Sequence, residues 1–127
     1  MLDTDTASYA LRGTGHVAQI VARSNRASLC ISAITVAELR FGAGKVQSAR
    51  LHQLIDDFIA DIAVMPFDAS CAEMYGKIAL DLAERGTPIG ELDALIAAHA
   101  LALNVTLVTN NTRHFSRVRG LRLENWL

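Results

Sequence analysis

Residues 92–103, Leu92-Asp93-Ala94-Leu95-Ile96-Ala97-Ala98-His99-Ala100-Leu101-Ala102-Leu103, are followed closely by Thr106-Leu107-Val108-Thr109. The first run is long enough for a helix and apolar nearly all round, which suits a helix packed deep against a sheet. The second is short, apolar and bounded by polar residues, as a buried strand is. A helix feeding a buried strand is the unit of an α/β fold, and the rest of the chain can be read outward from it.

Upstream, the same alternation recurs. Residues 1–3 read as the end of a first strand, and residues 16–23 as a short helix with Val17, Ile20 and Val21 on one face. Residues 29–31 form a strand-like run, followed by a helix over 32–42. Ser32 or Thr35 is available to cap its start, and Gly42 or Gly44 lies near its end. Residues 46–62 form an amphipathic helix with Val46, Ala49, Leu54, Ile55, Phe58, Ile59 and Ile62 on one face. Residues 63–67 are extended, kept so by Pro66. The helix over 69–85 turns Ala72, Tyr75, Ala79, Leu82 and Ala83 inward, and Gly86-Thr87-Pro88-Ile89-Gly90 breaks it. Residues 121–124 complete the set as a final strand. The pattern predicts an α/β fold, a mainly parallel central sheet flanked by helices.

Size and composition agree. A chain of 127 residues with 51% hydrophobic content fits a single domain, 1–127, with a core that needs no disulfide or structural metal. No apolar run is long enough to span a bilayer. The segment 1–9 carries two aspartates and no basic residue, unlike a signal peptide, so a cytoplasmic location is expected. Cys30 and Cys71 are isolated in apolar segments and read as buried small hydrophobes. The net charge is −1, which excludes a protein that attracts nucleic acid by its overall charge. Ten of the twelve basic residues are Arg, and Arg113, Arg117, Arg119 and Arg122 cluster near the C-terminus. Arginine suits bidentate phosphate contact, and a solvated surface segment explains the cluster equally well.

In parallel α/β sheets, function gathers at the carboxyl ends of strands. There Asp3 and Asp5 follow the first strand, and Asn110 and Asn111 follow the strand 106–109. Asp93 lies in the first turn of the apolar helix, and Glu38 is the lone acid of its segment. Each has a structural explanation taken alone: helix caps for Asp3 and Asp5, a favourable macrodipole position for Asp93, a solvated helix position for Glu38, a turn for the asparagines. Together they suggest carboxylates gathered around a hard cation. Such a group repels itself unless a metal or protons intervene, and Mg²⁺ or Mn²⁺ prefers oxygen ligands and often holds a phosphate as well. His16, His52, His99 and His114 have no ligand spacing, and His99 reads as a packed or surface residue. No Gly-rich phosphate loop and no Gly-x-Ser-x-Gly elbow is present.

Five blocks, in order, resemble the VapC-type toxins of the PIN-domain ribonucleases. They are Met1-Leu2-Asp3-Thr4; Ser32-Ala33-Ile34-Thr35-Val36-Ala37-Glu38-Leu39-Arg40-Phe41-Gly42; Gly86-Thr87-Pro88-Ile89-Gly90 leading to Asp93 and Ile96-Ala97-Ala98-His99-Ala100; Leu107-Val108-Thr109-Asn110-Asn111-Thr112-Arg113-His114-Phe115; and Gly120-Leu121-Arg122-Leu123-Glu124-Asn125-Trp126. The resemblance implies a PIN fold with an acidic pocket. It implies Asp3 and Asp93 as Mg²⁺ ligands (Mn²⁺ substituting), Glu38 as a third acid, and Asn111, with Asn110 as rival, at a fourth position. It further implies a Mg²⁺-dependent endoribonuclease, the toxin of a type II toxin–antitoxin system, cutting a structured RNA such as initiator tRNA in its anticodon region. The implied partners are a VapB-type antitoxin, operator DNA reached only through that antitoxin, and a second copy in a homodimer. Asp5 and Glu91 stand where the family usually has asparagine, so both are candidate supplementary acids. The alternatives are a non-catalytic module that docks RNA or a partner through the same surface, and a nuclease for single-stranded DNA.

Overall fold

The computed structural model describes residues 1–127. In chain order the elements are α1 (Thr4–Leu11), α2 (Gly15–Arg23), a 3₁₀ turn (Arg26–Ser28), β1 (Cys30–Ser32), α3 (Ala33–Lys45), α4 (Ala49–Asp61), β2 (Ala63–Met65), α5 (Ala69–Glu84), α6 (Glu91–Ala102), β3 (Leu107–Val108), α7 (Thr112–Phe115) and β4 (Leu123–Glu124). β1 pairs with β2 and β3 with β4, all parallel. The two pairs are joined by one residue: Leu2 bridges Ile31 on one side and Val108 on the other, both parallel. Its N–H donates to Cys30 O at 2.9 Å, and the Val108 N–H donates to Met1 O at 2.8 Å. The layer therefore runs β2, β1, Leu2, β3, β4. The expected first strand is the middle of the sheet, shortened to a single bridging residue.

Alternation along the strands builds the two halves of the core. Met1 and Leu107 join one cluster with Ile78, Leu82, Ile96, Ala97 and Phe115 from α5, α6 and α7. Leu2, Ile31 and Val108 join the other, with Ala7, Val17, Val21 and Ile62 beneath the α1–α2 and α4 side. Helices thus cover both faces of a parallel sheet, as the alternating pattern predicts.

Local chemistry sets the helix ends. Ser32 accepts from the Ile34 N–H at 3.0 Å and starts α3. Ser48 and Asp68 likewise cap α4 and α5. α6 closes into Asn104, whose φ of 54° is the left-handed stop common after helices.

Several expectations need correction. α3 runs past the expected bound at Gly42 to Lys45, with Gly44 near its end as expected, and the chain turns left-handed at Gln47, φ 50°. Glycine lowers helix propensity without ending a helix that is held by packing. Val46 is consequently outside α4, and it is exposed, as is Ala49. In α5 the buried positions are Cys71, Ile78 and Leu82, whereas Ala72 and Ala83 are exposed. Alanine fits either side of a helix, so it does not mark the inward face. Cys71 is buried as expected, but Cys30 is only partly so. No helix is long and apolar enough to cross a membrane.

Candidate active site

Asp3 sits where the Leu2 bridge ends and α1 begins. Its N–H donates to Val108 O at 3.0 Å, locking it to β3. Its Oδ1 accepts from the Thr6 N–H at 2.8 Å, so the residue is also the α1 cap. Only 4% of Asp3 is exposed. Burial pushes its carboxyl above the ordinary range; hydrogen bonds from Thr109 and Thr6 act in the opposite direction, and the Asp5 charge adds to the rise.

Glu38 is carried by α3, which starts from the carboxyl end of β1. The Thr4 hydroxyl donates to its Oε1 at 2.7 Å and lies 3.3 Å from Thr35 Oγ1. Burial raises the Glu38 pKa, the Thr4 hydrogen bond opposes the rise, and the charges of Asp93, Asp5 and Asp3 add to it. Asp93, in the first turn of α6, is half-buried. Its carboxyl is raised by burial and by Asp3 and Asp5, and the nearby His114 pulls it down. Asp3, Glu38 and Asp93, from the end of the Leu2 strand, α3 and α6, are thus each raised by burial and by the charge of neighbouring acids at one end of the sheet.

No ion pair of the protein involves any of these carboxylates; the salt bridges lie at Arg26–Asp61, Arg40–Asp56, Arg85–Asp81 and Arg119–Asp81. Nor are three or more His, Cys, Asp or Glu side chains brought together in a group that could by itself hold a metal ion. An open, oxygen-only and electrostatically uncompensated set of this kind differs from a zinc site. It has the donor chemistry of Mg²⁺, which binds through one or two carboxylates, keeps waters and shares itself with phosphate.

Asn111 caps α7. Its N–H donates to Thr109 Oγ1 at 2.9 Å, and Thr109 stands beside Asp3, whose carboxyl it draws down against burial. Its side-chain amide lies 3.0 Å from His114 Nδ1. Asn111 is therefore connected to the acids on two sides. Asn110 points elsewhere, accepting from the Asn125 amide at 3.3 Å near the C-terminus. Asp5 shares the electrostatics of the cluster. Glu91 does not: it is exposed and lines a groove with Tyr75, Leu82 and Ile89 between α5 and α6.

Sequence reasoning missed the hydroxyls. Thr4 holds Glu38 and Thr109 stands beside Asp3, and the available signal was a hydroxyl at the end of an apolar strand segment. For the arginine cluster, which the sequence left open between phosphate contact and a solvated segment, the structure gives three of the four a partner within the protein. Arg117 donates to Pro88 O at 2.9 Å, Arg122 to Asn104 O at 2.7 Å, and Arg119 lies 3.5 Å from Asp81. Of the four, Arg113 alone has no carboxylate or carbonyl partner.

The model of the PIN domain family matches residues 1–121. A tRNA(fMet)-specific endonuclease VapC from Shigella flexneri is 38% identical, covering 99% of this chain and 96% of that one. Among solved structures, DNA-bound VapBC from Salmonella typhimurium superposes with a TM-score of 0.93 at 36% identity, covering 100% of this chain and 97% of that one. VapBC2 from Rickettsia felis, bound to a DNA fragment from its promoter, gives 0.89 at 36% identity over 100% and 98%.

Proposed function

Because the chain belongs to the PIN-domain family, and within it to the VapC ribonucleases, we propose that it is the toxin of a toxin–antitoxin pair, a divalent-metal-dependent endoribonuclease acting as a single PIN domain over residues 1–127. The observation that carries this reading is the gathering of Asp3, Glu38 and Asp93 at one end of the sheet with no ion pair to any of them, His114 being the one nearby group that draws Asp93 down. A site that raises the pKa of its own acids by burial and like charge stores a demand for positive charge.

Asp3 and Asp93 would hold Mg²⁺, with Mn²⁺ able to substitute. Such a cation supplies positive charge beside the scissile phosphate and makes a water acidic enough to attack it. Glu38, fixed by Thr4, orients that water and accepts its proton. The Thr6 N–H holds the Asp3 carboxylate, Thr109 beside it favours the charged form, and Asn111 completes the rim through Thr109 and His114. An amide at this fourth position adds no negative charge, so RNA meets less repulsion there. Asn111 is preferred to Asn110 because Asn110 is already engaged with Asn125. Arg113 lies within the α7 segment beside this rim and is available to a phosphate.

The substrate follows from the relatives. The Shigella protein is named for tRNA(fMet), and initiator tRNA cut in its anticodon region is the substrate assigned here. A VapB-type antitoxin would neutralise the pocket with a basic side chain and carry the complex to operator DNA. A homodimer in the cytoplasm is the working form.

The test is incubation of antitoxin-free protein with total tRNA and Mg²⁺, with EDTA as control and single-stranded DNA as competitor. Discrete fragments with ends in the anticodon loop of one tRNA, absent with EDTA and unaffected by DNA, are expected. Preferential cutting of the DNA, or no cutting of any RNA by folded protein, would overturn the reading.

A further inference from the structure

His99 is fully buried in the middle of α6, and nothing described so far uses it. Its Nδ1 lies 2.7 Å from Ser32 Oγ, while its Nε2 has no hydrogen-bond partner. The ring packs edge-on against Phe67, with centroids 5.5 Å apart. Ser32 is also fully buried, ends β1 and caps α3 by accepting from the Ile34 N–H. The Ser32 hydroxyl must place its own proton on an acceptor, and His99 Nδ1 is the acceptor within reach. Ser32 therefore donates to a neutral His99 that carries its hydrogen on Nε2. Burial lowers the His99 pKa, which keeps the ring neutral and able to accept.

Burying an imidazole carries a desolvation cost that burying an apolar side chain does not, and for His99 the Asp68 charge and a backbone contact at Pro66 act against it. What an apolar side chain lacks is direction. The Ser32–His99 bond ties the start of α3 to α6 at one point. Glu38 lies six residues beyond Ser32 on α3, and Asp93 lies six residues before His99 on α6. At the rise of an α-helix each carboxylate stands about 9 Å from the tie. Over that arm a tilt of about 5° displaces Glu38 by about 0.8 Å, and a shift of about 1 Å at a reacting group can cost about 100-fold in rate.

We propose that Ser32 and His99 are positioning residues for the ribonuclease reaction: their buried hydrogen bond fixes the helix bearing Glu38 against the helix bearing Asp93. This rests on the assignment of those two acids to the reaction, and Asp93→Asn serves as its separate control.

The experiment measures single-turnover tRNA cleavage, KM, Mn²⁺ affinity by electron paramagnetic resonance, and melting temperature for His99→Leu, His99→Asn, His99→Gln and Ser32→Ala. The Asn amide oxygen reaches the place of Nδ1, whereas the Gln amide reaches the Nε2 end. His99→Leu and Ser32→Ala are expected to lower the rate by about 10- to 100-fold with KM within about threefold, and to weaken Mn²⁺ binding. The double variant should be no slower than the worse single one, since both remove one link. His99→Asn should recover to within about threefold of the original rate, and His99→Gln should not. Full activity in folded His99→Leu overturns the proposal. Where His99→Leu does not fold, equal rates for the Asn and Gln variants overturn it. An active Asp93→Asn would instead sink the underlying site assignment and leave the Ser32–His99 comparison readable by Mn²⁺ binding.

Discussion

The Thr4 hydroxyl donates to Glu38 Oε1 at 2.7 Å. Thr4 follows Asp3 directly, so the first residue of α1, next to the end of the central strand position, fixes the acid on α3. Two carboxylates far apart in sequence are thereby set at a defined separation by a single side chain, without a charge being neutralised.

Removing that donor has a signed consequence. A hydrogen bond to the charged form lowers a carboxyl pKa, so Thr4→Val raises the Glu38 pKa further above its ordinary value. The acid limb of the kcat profile should move to higher pH, and kcat near neutrality should fall by about 10-fold. Thr4→Ser, which keeps the hydroxyl, should restore both. A pH profile unchanged by Thr4→Val would contradict the role given to this bond.

Asp3, Glu38 and Asp93 are all raised chiefly by burial; neighbouring acids add to it, Asp5 for Asp3, Asp93, Asp5 and Asp3 for Glu38, and Asp3 and Asp5 for Asp93. A carboxyl whose folded pKa exceeds its unfolded value binds its proton more tightly when folded. Its penalty is absent below the ordinary range, 3.8 for aspartate and 4.5 for glutamate, and grows as pH rises through the raised folded values. Metal-free Asp93→Asn should therefore melt a few degrees above the parent at pH 7, with the gap closing toward pH 4. Mg²⁺ should close it from the other side, stabilising the parent by about 2.7 kcal/mol at a hundred times its Kd. A gap independent of pH and Mg²⁺ would show that the acids are not in electrostatic conflict.

Leu2 is fully buried and is the one residue joining the two strand pairs. Leu2→Ala should cost about 2–5 kcal/mol in urea unfolding. Activity should suffer beyond the loss of folded protein, because Asp3 is the next residue. A loss under about 1 kcal/mol would mean that the sheet closes around the gap.

The arginines separate into two groups. Arg113→Ala should weaken RNA binding and reduce the salt slope by about 0.7–0.9, leaving the melting temperature unchanged. Arg122→Ala removes donors to Asn104 O and Oδ1 and should lower stability with little change in salt slope. Binding by salt titration and melting by calorimetry distinguish the two, and identical behaviour would refute the division.

Much of this was legible from residues. The apolar helix and following strand at 92–109 pointed to the layered fold, and Asp3 at a strand end, Asp93 at a helix start and Glu38 as the lone acid of an apolar segment stood out as candidates. What escaped was relational. Glycine spacing could not fix the last residue of α3, because packing carries the helix past Gly42 and Gly44 to Lys45. Alanine positions could not reveal the inward face of α5. The arginine cluster was left open because its partners, Asp81, Pro88 and Asn104, lie elsewhere in the chain. Thr109 reads as one more β-branched strand residue until the fold sets it on Asp3, and His99 reads as filler until Ser32 meets its Nδ1.

The most direct measurement is single-turnover cleavage of purified initiator tRNA across a Mg²⁺ titration, by the parent and by Asp93→Asn. Saturable dependence on Mg²⁺ in the parent and a rate at least about 100-fold lower in the variant are predicted, since an electrostatic group at the reacting phosphate is worth that much. Cleavage that persists in EDTA, or an Asp93→Asn rate within a few-fold of the parent, would contradict a metal-dependent ribonuclease built on these acids.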